Sequence, residues 1–122
     1  YEPVGQGDKF FPSVIYDAMA LAYGHKEVGS VLWSTMQDAL TLAQLNGIIS
    51  YSVNDDVKSL DGTAYTGMVV QYAGDGLADP HAIAFQLDSV KYQIGCFVST
   101  FLTTGKAVVP APAALGTPCP TQ

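Results

Sequence analysis

Charge is what this sequence has least of. Only 13% of its 122 residues are Asp, Glu, Lys or Arg, about half the usual share of roughly 25%. Basic residues are the scarcer kind, five against eleven acidic ones, for a formal net charge of −6. No basic patch exists to release counterions from phosphates, which argues against nucleic acid as a partner and against an anionic membrane surface. No apolar run approaches the ~20 residues that span a bilayer. Chemical signatures are missing too. There is no G-x-S-x-G elbow, no glycine-rich phosphate loop after a strand and no C-x-x-C-H for covalent haem. Two histidines, far apart in sequence, are too few for a catalytic zinc site with two or three nitrogen or sulfur ligands.

Apolar residues are plentiful, 48% of the chain, so disorder through low hydrophobicity and high charge is excluded. A single domain over 1–122 with one core fits this length. Residues 1–9 (YEPVGQGDK) read as an extended arm. FFPSVIYDAMALAYG reads as a first helix, with Pro12 near its start and Gly24 closing it. Val14, Ile15, Ala18, Leu21 and Ala22 form its expected inward face. The longest amphipathic run, Lys26 to Asn46, places Val28, Val31, Leu32, Met36, Leu40 and Ala43 near one helical face and predicts a central helix closed by Gly47. Beyond Gly47 the period changes. IISYSV and Thr63 to Ala73 read as strands. Alternation along Val90, Tyr92, Ile94, Cys96 and Val98 predicts a hairpin of 82–87 with 90–94, a helix from about Tyr92 to Thr104 being the rival. KAVVP adds a last strand, and residues 106–122 form a proline-rich tail. Helices first and strands after predict an α+β fold: two N-terminal helices packed on one face of an antiparallel sheet of about four strands.

Tyr1 in first position predicts removal of a secretory signal. Cys96 and Cys119 are expected to form a disulfide, because a proline-rich tail needs something beyond packing to hold Cys119. Bridge and export support one another and predict a secreted or cell-surface protein.

Two acidic loops are candidate sites. GDGLADPH brings Asp75, Asp79 and His81 within seven residues, a set that suits a hard cation or a carboxylate beside an imidazole. The bidentate Glu of an EF-hand is missing, and the alternative is an Asp/Gly/Pro turn opening the next element. NDDVKSLDG, with Asp55, Asp56 and Asp61, reads as calcium ligands or as a solvated turn. His25 sits at a helix corner, as an exposed or capping side chain. Tyr16, Tyr23, Trp33, Tyr51, Tyr65, Tyr72 and Tyr92 offer either a ligand-binding face or half-buried packing.

The layout of the Lys26–Asn46 helix, the AIAFQL and VKYQI strands and the Cys96/Cys119 loop resembles the globular part of a type IV pilin. That resemblance implies a helix on an antiparallel sheet and a filament subunit. The chain departs from it in lacking the long apolar N-terminal helix, and Gly24-His25 interrupts what would be one helix. The expectation is therefore an extracellular, non-enzymatic structural or interaction protein that associates with itself, with another protein or with a surface glycan. Two alternatives stand beside it. One is a small secreted hydrolase or metal-dependent enzyme using Asp75, Asp79 and His81, and the other is a monomeric binding module.

Overall fold

In a computed structural model the described residues are 1–121. The elements run β1 (Glu2–Gly5), α1 (Ser13–Tyr23), β2 (Lys26–Val28), α2 (Thr35–Thr41), β3 (Ile48–Ile49), β4 (Val57–Lys58), β5 (Ala64–Tyr65), β6 (Met68–Tyr72), a 3-10 turn (Pro80–Ala82), α3 (Ile83–Gln86) and α4 (Asp88–Thr104). Four strands form one sheet in the order β1-β6-β2-β3, and β4 pairs with β5 as a separate antiparallel ribbon. The three pairings within the larger sheet are all parallel, with Val4 opposite Gln71 and Glu27 opposite both Val69 and Ile48.

This overturns the expected antiparallel sheet with two helices on one face. Parallel neighbours need a crossover between them, and here α1 joins β1 to β2 while α2 joins β2 to β3. The expected arm over residues 1–9 carries β1, an edge strand of the sheet. The expected Lys26–Asn46 helix is β2, a loop and the short α2. Its periodicity is genuine, but Lys26–Val28 is paired on both sides, and Gly29 at φ +89° breaks the chain away from helical geometry. Tertiary pairing here overrides local pattern. The pilin-like layout falls with the antiparallel sheet.

The expected hairpin of 82–87 with 90–94 is helical. Along α4 the buried residues are Val90, Tyr92, Gln93, Cys96 and Thr100. Val90, Gln93, Cys96 and Thr100 give a stripe at helical spacing, two of whose members are polar and hid it. Asp88 sits in the first turn and Gly105, at φ 77°, closes the helix. The first helix is as the sequence predicts, from Pro12 to a left-handed Gly24 whose N–H reaches the Ala20 and Leu21 carbonyls. Its inward face differs: Tyr16, Asp17 and Ala20 are buried, while Val14 is 64% exposed.

β6 shows how the layers form. Met68 and Val70 join Val28, Val53 and Val109 in one cluster, with Phe97 of α4 packed on it. Val69 points the other way, into a cluster with Val4, Tyr16, Ala20, Met36 and Leu40 from β1, α1 and α2. A central parallel strand is apolar on both faces for this reason. Each such fully buried Val or Leu contributes about 1.5–3 kcal/mol. The tail lies on the α4 side, where Val109 exchanges backbone hydrogen bonds with Val53 and Cys119 is bridged to Cys96 on α4. Among the described residues no helix is long and apolar enough to cross a membrane.

Candidate functional site

Strand β1 ends at Gly5, and the loop Gln6–Pro12 leads into α1. Strand β6, its parallel neighbour, ends at Tyr72, and the following loop leads into the turn that carries His81. The two loops therefore leave the same, carboxyl edge of the sheet, the edge at which open parallel sheets bind ligands. Their approach is close because two glycines allow it. A Cβ on Gly5 would lie 2.1 Å from the Pro80 carbonyl oxygen, and one on Gly74 would lie 2.0 Å from that of Gln6.

Asp8 is the centre of this contact. Its side chain is 1% exposed, and four donors converge on it. Oδ1 accepts the backbone N–H groups of Phe10 (2.7 Å) and Phe11 (3.0 Å). Oδ2 accepts the Tyr16 hydroxyl and, at 2.8 Å, His81 Nδ1–H. Burial alone would raise the carboxyl's pKa, but the hydrogen bonds from Tyr16, Phe11, His81 and Phe10 outweigh it and bring the value down to about 2, since each donor favours the charged form. Burial, with the adjoining Asp8 carboxylate, pushes the Tyr16 phenol well above its ordinary range. Asp8 is thus ionised and Tyr16 neutral across the physiological range.

The His81 imidazole is 40% exposed. Phe10 and Phe11 flank it, with ring centroids 5.2 and 5.1 Å away. With Nδ1 held by the carboxylate, the neutral ring carries its proton there and leaves Nε2 as a free acceptor. Among the described residues nothing hydrogen-bonds Nε2. A cleft of about 240 Å³ adjoins Asp8, lined by Gly5–Asp8, Pro12, Ser13 and Trp33.

Of the residues singled out from sequence, His81 belongs to this arrangement, but its neighbours in the chain do not reach its ring. Asp79 Oδ1 caps the 3-10 turn by accepting the His81 backbone N–H at 3.0 Å, and Asp75 is exposed. Among the described residues no three His, Cys, Asp or Glu side chains are grouped to hold a metal ion. In the other acidic loop, Asp56 accepts the Gly67 N–H, Asp61 accepts Ser59 and Thr63, and Asp55 pairs with Lys106 at 2.6 Å. Those are turn and surface contacts within the fold. His25, expected at an exposed corner, is enclosed: Nδ1 lies 3.0 Å from Glu2 Oε2, and the two side chains are 13% and 12% exposed. The tyrosines do not share a face. Tyr16 serves Asp8, Tyr72 bonds the Gln93 side chain, and Tyr92 donates to the Pro118 carbonyl at 3.2 Å.

Asp8 is not among the residues the sequence singles out, and Tyr16 stands there only as one of seven aromatics, not as a partner of an acid. Asp8 lies 73 residues from His81, and no spacing rule joins them. The one local signal was the run Gly5-Gln6-Gly7-Asp8 between an apolar pair and a proline-started helix, which marks a strand–loop–helix junction. Against known proteins, no family model, no curated sequence and no solved structure matches this chain.

Proposed function

We propose that the protein is a hydrolase acting by acyl transfer, with His81 the general base and Asp8 the carboxylate that orients it. The observation that carries this reading is the 2.8 Å bond between a buried, ionised carboxylate and an imidazole open to solvent on its other nitrogen. A base must present its lone pair to the substrate side and have its tautomer fixed from behind. His81 meets both conditions, whereas His25 meets only the second. The topology adds support. The carboxylate and the histidine each follow the carboxyl end of one of two adjacent parallel strands, the edge at which open parallel sheets bind ligands.

In such a reaction Nε2 removes the proton of an attacking hydroxyl, and the imidazolium that forms is stabilised by Asp8. The attacking group is a water, or a hydroxyl of the chain that comes up to Nε2 once substrate is bound. Export fits this reading, because the Cys96–Cys119 bridge persists in oxidising compartments. The test is hydrolysis of an activated ester such as p-nitrophenyl acetate by the whole protein. Asp8→Asn and His81→Gln each lower kcat by about 10³-fold or more. Labelling by a fluorophosphonate separates a serine nucleophile from water. Hydrolysis at wild-type rate by both variants, or none by the wild type, removes the proposal.

A second reading has its own observation. Phe10 (69% exposed), Phe85 (82%) and Leu102 (76%) present large apolar side chains to solvent, which suits an extracellular, non-enzymatic subunit that buries them against copies of itself. Light scattering that shows a monomer at all concentrations rules this out.

A further inference from the structure

Asp8 holds His81 through an oxygen that it already shares. Oδ2 accepts both His81 Nδ1–H and the Tyr16 hydroxyl, while Oδ1 is occupied by two backbone N–H groups. Tyr16 is fixed independently of the site. Its ring is buried with Val4, Ala20, Met36, Leu40 and Val69 in the core beneath α1 and α2. It also meets Phe11 edge-on at 6.0 Å, and Phe11 in turn meets His81. The core therefore aims the phenol at the carboxylate whatever the state of the imidazole.

We propose that Tyr16 is a positioning residue for His81: its hydroxyl locks the Asp8 carboxylate in place and, by drawing on the same oxygen, sets how strongly that carboxylate favours a protonated imidazole. This rests on the Asp8–His81 reading. A carboxylate oxygen that gives part of its charge to one hydrogen bond has less to give to a second. Among the described residues the charges that act most strongly on Tyr16 are carboxylates: Asp8 in its loop, Glu2 on β1 and Asp79 at the turn. His81 is in contact with Asp8 and is capped at its backbone by Asp79. The hydroxyl thus tempers a surplus of negative charge behind the base.

Tyr16→Phe in the whole protein removes one oxygen and keeps the ring. The titration midpoint of the His81 ring, followed by nitrogen–proton correlation spectra, moves upward by about half a unit to one unit, a fraction of the roughly one to two units that a hydrogen bond to a charged group is worth directly, because the bond acts through Asp8. The acid limb of kcat/KM moves with it while KM stays within about twofold. In an Asp8→Asn background the substitution adds no shift, because the coupling runs through the carboxylate. An unmoved midpoint overturns the proposal, even where the melting temperature falls, as does an equal shift when Asp8→Asn is already in place. Should Tyr16→Phe fail to fold, a difluorotyrosine at position 16, a stronger donor, must move the midpoint downward, and no movement overturns the proposal equally. If the wild type hydrolyses no ester, the hydrolase reading fails while the ring titration still decides the role of Tyr16.

Discussion

Two polar clusters lie on opposite faces of the sheet, each gathered on one acceptor side chain, and their differences separate a candidate site from a structural brace. At the carboxyl edge the acceptor is Asp8, charged, with a partner at 40% exposure. Under the tail it is Gln93, neutral and 0% exposed. Gln93 Oε1 accepts the hydroxyls of Tyr1 and Tyr72, and its Nε2 donates to the Pro110 carbonyl at 2.7 Å. Tyr1 and Tyr72 are half-buried and Pro110 is buried. Burial pushes the Tyr1 and Tyr72 phenols far above their ordinary range, so neither phenol gives up its proton near neutrality. Buried polar networks that are fully satisfied rigidify a core, and Gln93 does this for the tail. Asp8 satisfies its own oxygens equally well but leaves one partner with an unused lone pair facing water. An open, oriented base is what distinguishes the first cluster from the second.

The contrast breaks most sharply at the glycines that let the site's two loops meet. Gly5→Ala drives a methyl onto the Pro80 carbonyl, and Gly74→Ala drives one onto that of Gln6. Neither backbone atom can turn aside, so we expect each change to cost about 3 kcal/mol in chemical denaturation, the upper end for overpacking. Molecules that still fold have Asp8 and His81 pushed apart, and a misplacement of about 1 Å costs about 100-fold in rate. Ester hydrolysis per folded molecule, measured well below the transition, checks this. A rate unchanged in the folded fraction means that loop closure is not what holds the pair.

Loss of the bridge tests the other side of the comparison. Cys96 and Cys119 are 23 residues apart, and a loop of that size stabilises by about 3 kcal/mol through the unfolded chain. Cys96→Ser with Cys119→Ser should lower stability by that amount and release the tail, seen as faster hydrogen exchange at Val53 and Val109, whose backbone bonds tie the tail down. Below the transition the hydrolytic rate stays that of the wild type, since among the described residues no tail side chain bonds Asp8 or His81. A fall in rate per folded molecule joins the two clusters and removes the distinction between them.

The parts legible in the sequence were those whose signals lie next to each other in the chain. Pro12 and Gly24 bracket α1 correctly and the two cysteines pair, while the strand expected over Thr63 to Ala73 is extended but divided into β5 and β6, which belong to different sheets. What could not be read was set by distant neighbours. Lys26–Val28 keeps helical spacing with the residues after it, and only pairing to Val69 and Ile48 shows that it is a strand. Once β2 is missed, the alternation of strand and helix disappears and an antiparallel sheet follows. In α4 the polar Gln93 and Thr100 occupy the buried stripe because their partners, Pro110 and the Val108 N–H, come from KAVVP, which reads as a strand and among the described residues makes only a single bridge, Val109 to Val53. The site was half legible for the same reason. His81 stood out as one of two histidines, but its nearest carboxylate in sequence, Asp79, serves the backbone, and the one that serves the ring comes from the first loop.

The smallest expected effect concerns pH and again divides the two faces. Glu27 on β2 is 0% exposed. Its Oε2 accepts Gln37 Nε2–H at 2.6 Å, and its Oε1 is buried without a partner. Burial raises this carboxyl above its ordinary value of 4.5, the Gln37 donation working against the rise and the Asp17 charge adding to it. A raised carboxyl stabilises the fold at pH below the unfolded value, and that contribution is lost as pH rises through the folded one. Asp8 has the opposite sign. Its contribution is present above about pH 4 and is lost as pH falls towards its folded value of about 2, a change of about 2 kcal/mol. Both carboxyls belong to the side covered by α1 and α2, whereas the Tyr1 and Tyr72 phenols, raised above their ordinary range, stay protonated throughout it. Glu27→Gln keeps an acceptor for Gln37 and removes the titration. We expect it to match the wild type near pH 4 and to exceed it by on the order of 1 kcal/mol at pH 8, read from urea denaturation at the two values. Curves that stay parallel from pH 4 to 8 mean that Glu27 titrates alike in the folded and unfolded chain, and the pH dependence would then have to be sought on the tail side.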